Sequence, residues 1–221
     1  MQRNLILASL AILLAATLTA GADPGRIAIA GRAGTLGLGG DLMINLLTDL
    51  NLRIGVGAFA FDYDDEWSDV EYDFEFDMLT FPMTLDWYPF DDKFHVSGGI
   101  VLNETDVDLD STYRGTVEID GTTYTAGEVG VLSGNFGFDN VAPYIGIGWG
   151  NAFGKSRRWG FVTDLGVAFI GSPDVKLSAT GTLASDPTFR SHLAREEADL
   201  KDDLEDLKIY PVFSANLYFR F

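Results

Sequence analysis

At 221 residues, with a formal charge of −18 and no cysteine, the chain has room for one all-β domain and is too acidic to favour nucleic acid or bare anionic lipid as partners. Disulfides are excluded as a stabilising device. Hydrophobic residues make up 47% of it, with 25 glycines and 16 phenylalanines, which is rich for a soluble acidic protein and suits a barrel with its apolar surface outside.

The chain starts with Met1, Gln2 and Arg3, an apolar run from Leu5 to Leu18, and the small residues Ala20, Gly21 and Ala22. This pattern predicts a secretory leader over residues 1–22, cleaved before Asp23. The apolar run is shorter than the roughly 18 to 20 residues needed to span a membrane. The exported domain is therefore expected over residues 23–221.

From Thr35 the sequence alternates, with Leu36, Leu38, Leu42, Ile44 and Leu46 on one face and Asp41, Met43 and Asn45 on the other. A period of two is a half-buried strand. After a short turn at Asp49, Leu52, Ile54, Val56 and Ala58 oppose Arg53, Gly55 and Gly57, so the two strands make a hairpin. The acidic stretch from Asp62 to Asp77 is expected to be an exposed loop with strand extensions. Leu79, Phe81, Met83, Leu85 and Trp87 then face away from Thr80, Thr84 and Asp86.

Across a turn at 88–93, Phe94, Val96, Gly98, Ile100 and Leu102 oppose His95, Ser97, Gly99 and Asn103. A long polar segment from Glu104 to Asn140 follows, with a turn signal at Asp120-Gly121 that predicts a small hairpin over 116–125. Val141 to Trp149 and Phe161 to Phe169 are further alternating strands, joined by the short basic turn at 151–158. Asp186 before Pro187 is a good helix start. Phe189, Leu193, Leu200, Leu204 and Leu207 recur at helical spacing, predicting a helix over 187–208. Glu197 with Lys201, and Lys201 with Glu205, are spaced for ion pairs along it.

In the last stretch, Phe213, Ala215, Leu217, Phe219 and Phe221 share one parity, and Ser214, Asn216, Tyr218 and Arg220 share the other. This resembles the terminal strand of bacterial outer-membrane β-barrels, whose closing aromatic is read by the barrel-assembly machinery. The alternation of short turns with long polar loops fits the same class. Trp87, Trp149 and Trp159 beside the short turns, with Tyr88, Phe90, Phe94 and Phe153 nearby, fit an interfacial aromatic girdle. Seven strands are clear, and a periplasmic start requires an eighth, for which Arg26 to Arg32 is the candidate.

The fold expected is thus a transmembrane antiparallel up-and-down barrel of about eight strands with one external amphipathic helix. It resembles the small-barrel superfamily of OmpA, OmpX and OmpW. A soluble antiparallel barrel shares the alternation but gives no reason for the tryptophan placement.

Inward parity falls on Arg53, Asp86, His95, Asp41, Asp164, Arg220, Asn45, Asn103 and Asn216. In so narrow a barrel these are expected to pack the interior, with glycines leaving room for them and no continuous channel. His95-Val96-Ser97 is similar to the His-x-Ser pair of outer-membrane lipid A deacylases, with Glu104 as an imaginable third member. Glu104 lies nine residues from His95, about 30 Å along one strand, which breaks the arrangement. Asp106, Asp108 and Asp110 hint at a calcium loop, but Ser111 and Val117 stand where the pattern needs Gly and Glu. The glycine pattern Gly55-Val56-Gly57 has no helix after it and so carries no dinucleotide signal.

No catalytic, cofactor or metal residue is therefore assigned. The expected role is a non-enzymatic surface scaffold with acidic external loops, a solute pore and a lipid-modifying enzyme being the alternatives. The expected partners are outer-membrane lipids and lipopolysaccharide, bridged by divalent cations, and the assembly machinery through Phe221. A monomer is expected.

Overall fold

The computed structural model describes residues 26–67, 70–90, 93–154, 158–204 and 206–221. The leader expected over 1–22 lies outside them, as do Asp69, Asp91, Asp92, part of the basic turn (155–157) and Glu205. Among the described residues no helix is long and apolar enough to cross a membrane. Crossing is left to strands.

Among the described residues twelve strands form, in chain order β1 (Ile27–Gly34), β2 (Gly37–Leu47), β3 (Leu50–Trp67), β4 (Val70–Trp87), β5 (Phe94–Tyr113), β6 (Thr116–Ile119), β7 (Thr122–Thr125), β8 (Val131–Gly137), β9 (Val141–Trp149), β10 (Trp159–Phe169), β11 (Asp174–Ala179) and β12 (Ile209–Arg220). The helices are α1 (Ala126–Val129) and α2 (Pro187–Asp203). Eight of the strands close a ring in the order β1, β2, β3, β4, β5, β9, β10, β12, with β12 pairing antiparallel to β1. The eighth strand expected before Thr35 is therefore present, and closure removes the sheet edges.

Period-two alternation carries this ring. Large apolar side chains stand exposed on every ring strand, among them Ile29, Leu38, Ile54, Leu85, Ile100, Ile147, Phe161 and Leu217. A continuous belt of this kind is the surface a bilayer covers. On β12 the exposed positions run from Ile209 to Phe221, about 40 Å along the strand and about 30 Å of height at the usual tilt, enough for the roughly 25 Å apolar band and its girdle. Trp87, Trp149 and Trp159 are all exposed at the end where β1 begins and β12 ends. The girdle marks that end as one interface.

Beyond the belt the structure departs from the expectation. The acidic stretch expected as an exposed loop with strand extensions is strand almost throughout: β3 and β4 stay paired up to Trp67 and Val70. The expected polar segment after Glu104 is likewise strand as far as Tyr113. In both places charged and apolar residues alternate, and that periodicity outweighs their polarity. Above the ring β5 leaves β9, pairs with β8 from Asp106 to Thr112, and β8 pairs with β11. A five-stranded sheet thus rises from one side of the barrel.

The Asp120-Gly121 hairpin forms as β6 and β7, with φ of 49° and 68° at the two turn residues, the conformation an Asp-Gly pair adopts readily. The helix begins where expected, with the Asp186 carboxylate accepting from the backbone N–H of Thr188 (2.8 Å) and Phe189 (3.0 Å). It stops at Asp203, short of 208. Leu207 accordingly stays exposed, while Phe189 and Leu193 are buried with Ile119, Tyr124 and Val129 in a core of their own. Glu197 and Lys201, expected to pair along the helix, each reach across to β11: Glu197 accepts from the Leu177 N–H (3.0 Å), and Lys201 meets Asp174 (2.9 Å). The helix thereby covers the free edge of the external sheet.

Candidate functional site

The barrel interior is stacked in layers from the girdled end outward. Lowest is an apolar layer of Ala28, Ala30, Met43, Val162 and Tyr218, closed beneath by Ala152 and Phe153 of the β9–β10 turn. Tyr218 and Tyr88 hold that turn in place, donating to the carbonyls of Asn151 (3.1 Å) and Gly150 (3.2 Å). The turn is a floor under the lumen.

Above it lies the charged layer. Arg53 on β3 donates to both oxygens of Asp164 on β10 (2.6 and 2.7 Å) and to Asp86 on β4 (3.1 Å). His95 Nε2 (2.9 Å), Ser214 Oγ (3.0 Å) and Asn216 Nδ2 (3.2 Å) also donate to Asp164. One carboxylate thereby ties side chains from β3, β5 and β12 to β10. A two-oxygen Arg–carboxylate fork is the most directional of such contacts. A second pair, Arg32 with Asp41 (2.9 Å), lies beside it between β1 and β2. Among the described residues Arg32 Nε and Nη2 and Asp41 Oδ2 find no protein partner, and a cavity of about 30 Å³ lined in part by Arg32, Arg53 and Asp164 adjoins them. That volume suits a single water.

Glycines make room for this layer. A Cβ at Gly55 would strike the Asp41 carboxylate, one at Gly57 the Arg32 guanidinium, and one at Gly148 the His95 imidazole. The inward glycines and the inward charges are two halves of one packing solution.

The sequence places His95 and Ser97 on one face, and the structure does so too, but it does not couple them. Ser97 Oγ donates to Asp86 (2.7 Å) while His95 is engaged with Asp164. Both are fully buried, and Glu104 sits on the outward face above the belt, out of reach. A nucleophile needs a base within hydrogen-bond distance and access to substrate, and this pair has neither. The other inward residues also find partners: Asn45 donates to Asn51 Oδ1 (2.9 Å), and Arg220 donates to the Gly154 carbonyl (3.0 Å).

The next layer is apolar: Leu36, Val101, Ala142, Tyr144, Ala168 and Val212. Leu36 corrects the parity expectation, which put it on the lipid face with Leu38. It sits in the β1–β2 turn just before Gly37, whose φ of +91° breaks the alternation and turns Leu36 inward. Tyr144 takes space that Gly146 and Gly166 leave open.

Outside the barrel, the extended sheet carries two unlike faces. On the outward parity, Asp64 lies opposite Asp73 and Asp73 opposite Asp110; Asp62 lies opposite Glu75 and Glu75 opposite Asp108; Asp77 lies opposite Asp106. The hydrogen bond and the like charge of Asp64 across the hairpin raise the Asp73 carboxyl above the ordinary range. On the parity that continues the lumen, apolar rows run across all five strands, such as Phe61, Phe76, Val107, Phe136 and Val175. The hairpin and α2 pack against the far part of that face through Leu132 and Leu177. Among the described residues no group of three or more His, Asp or Glu is gathered to hold a metal ion by itself. The alternation of Asp106, Val107, Asp108, Leu109 and Asp110 is the sequence signal for this two-faced sheet, and the density of acids hides it.

No protein-family profile and no curated protein matches the chain. Solved structures do. CarO2 of Acinetobacter baumannii superposes with a TM-score of 0.58 at 22% identity, over 88% of this chain and 98% of that one. CarO of the same organism gives 0.55 at 21% identity, over 89% and 97%. A major outer membrane protein from Thermus thermophilus gives 0.41 at 12% identity, over 88% and 99%. The first two likenesses establish the fold, an antiparallel eight-stranded ring of the outer-membrane type.

Proposed function

We infer that this chain is an integral outer-membrane barrel that acts as a lipid-embedded scaffold, displaying an acidic two-faced sheet and a helical cap at the cell surface. One contrast supports the reading: the lumen is filled layer by layer and cross-linked through Asp164, while the unneutralised charge is concentrated outside. The finer resemblance to OmpA, OmpX and OmpW rests on the eight-strand ring and the terminal strand. The protein is a monomer, has no catalytic activity of its own, and conducts no steady current. Single-channel recording in planar bilayers tests the last point, and a stable conductance would refute it. Mass spectrometry of lipid A with and without the protein tests the enzyme alternative, for which any modified product would decide.

Lipopolysaccharide is the partner we assign to the acidic face. The carboxylate rows begin just above the apolar belt, where exposed Leu102 gives way to Glu104 and Asp106 on the same face. Lipid phosphates at that height have like charge, so divalent cations shared between lipid and protein must bridge them. Chelation is then expected to lower both thermal stability and lipopolysaccharide retention in detergent extracts; no change in either removes the assignment. Phe221 is the residue assigned to the assembly machinery. Its N–H donates to Ile27 O (3.1 Å) and its ring meets Phe219 edge-on, which sets it at the β1–β12 seam.

A further inference from the structure

We propose that the external mouth of the barrel is a binding site for a small, neutral, single-ring molecule bearing one hydrogen-bond acceptor. Above the apolar layer the lumen opens into a cavity of about 110 Å³. Leu36 and Val101 are shared between this cavity and the water-sized one below, so they form the partition between them. Phe76, Met78 and Val107 make one wall, from β4 and β5, and Phe138 and Ile170 contribute to the rest. Engineered cavities of about 150 Å³ with such linings stay dry and take up benzene. A cavity slightly smaller but open outward accommodates one ring.

The lining also selects charge and polarity. Among the described residues no Asp, Glu, Lys, Arg or His lines the cavity, so an ionised ligand would be desolvated there without a partner. Of the polar side chains there, Thr105 and Tyr210 already spend their hydroxyl protons within the protein, which leaves Asn103. It is buried, its side-chain oxygen accepts from the Thr105 hydroxyl (2.6 Å), and its side-chain nitrogen is the donor left for a ligand. Tyr210, also on the wall, already donates to the Thr35 carbonyl (2.7 Å) and is not available. A single donor in an apolar cleft orients a ligand by a single acceptor, the usual construction of small-molecule sites. Aromatic side chains extend the wall outward: Phe59 lies 6.1 Å from Phe76, and Phe61 stacks on Tyr63 at 6.2 Å. They line the approach from the cell exterior.

The methionines supply the test. Met78 lines the cavity, Met43 is buried in the lowest layer, and Met83 faces the lipid. In the folded chain in phosphatidylcholine nanodiscs, the ¹³C-methyl resonances of all three are followed while benzaldehyde or toluene is added. Binding is expected to move Met78 along a saturating curve with Met43 fixed, whereas partition into lipid moves Met83 in proportion to the probe added. Asn103→Ala is expected to weaken benzaldehyde about five-fold, one neutral hydrogen bond, and to leave toluene unchanged. Ala168→Leu, which fills the cavity, is expected to abolish saturation. The proposal is overturned if Met78 moves only in proportion, as Met83 does, or if saturation survives the filled cavity. Equal loss of both probes in Asn103→Ala overturns the donor assignment. Because Asn103→Ala removes atoms without overpacking, it remains informative even where Ala168→Leu does not fold.

Discussion

Replacing Asp164 by alanine removes the acceptor that Arg53, His95, Ser214 and Asn216 share. Arg53 then keeps only Asp86, at 3.1 Å, as a charged partner, with its side chain 8% exposed. Removing one member of a buried ion pair generally costs about 3 to 5 kcal/mol, because the survivor stays desolvated and uncompensated. The loss here is expected toward the lower end, about 3 kcal/mol, since Asp86 retains part of the charge balance, and that is roughly a hundred-fold in the folding equilibrium. Reversible urea unfolding in lipid vesicles, followed by tryptophan fluorescence and by the gel shift between folded and heated forms, measures it. A companion variant, Arg53→Met with Asp164→Leu in an Asp86→Asn background, leaves no member of this charge cluster unpaired; apolar replacement of a buried pair is often neutral, so part of the stability should return. A cost below about 1 kcal/mol for Asp164→Ala, or a companion variant no better than the single one, would refute the reasoning that this carboxylate organises the lumen.

Gly148→Ala should prevent proper packing by driving a methyl group into the His95 imidazole, at a cost of about 1 to 3 kcal/mol; adding His95→Ala should recover part of it in the same unfolding assay, and no recovery would show that another contact is responsible. Leu36→Ala thins the partition between the two lumenal cavities, yet planar bilayers should still show no steady current, because the layer of Arg53 and Asp164 beneath it remains. The raised Asp73 carboxyl binds its proton more readily in the folded hairpin than in the unfolded chain, so the external hairpin should gain stability as pH falls through the carboxylate range and lose it as pH rises. Hydrogen exchange at Tyr63 and Phe74, corrected for intrinsic rates, should show this, and Asp73→Asn should weaken the pH dependence. Deleting Phe221 should lower the yield of inserted barrel in cells; unchanged insertion would remove its assembly role.

The ring is legible because a membrane barrel repeats one rule. Every crossing strand must put apolar side chains toward lipid and small or polar ones toward the lumen, so parity alone separates Ile54 from Arg53 and Phe213 from Ser214. The same rule makes inward glycines and inward charges visible together. It fails at Leu36, where Gly37 takes a positive φ that strand periodicity does not encode. At Asp62 to Asp77 and Asp106 to Asp110 the acid content suggests loop, although the alternation persists and the backbone follows the alternation.

What the sequence by itself determined is therefore the class of surface each strand presents, since that depends only on neighbours two residues apart. Which inward groups meet was decided by the ring, because closure and register bring Arg53 to Asp164, separated by 111 positions, and give His95 and Ser97 to different carboxylates. The external sheet was likewise a tertiary decision. Strand β5 changes partner from β9 to β8 above the belt, and that exchange carries the apolar rows of β3, β4 and β5 on across β8 and β11.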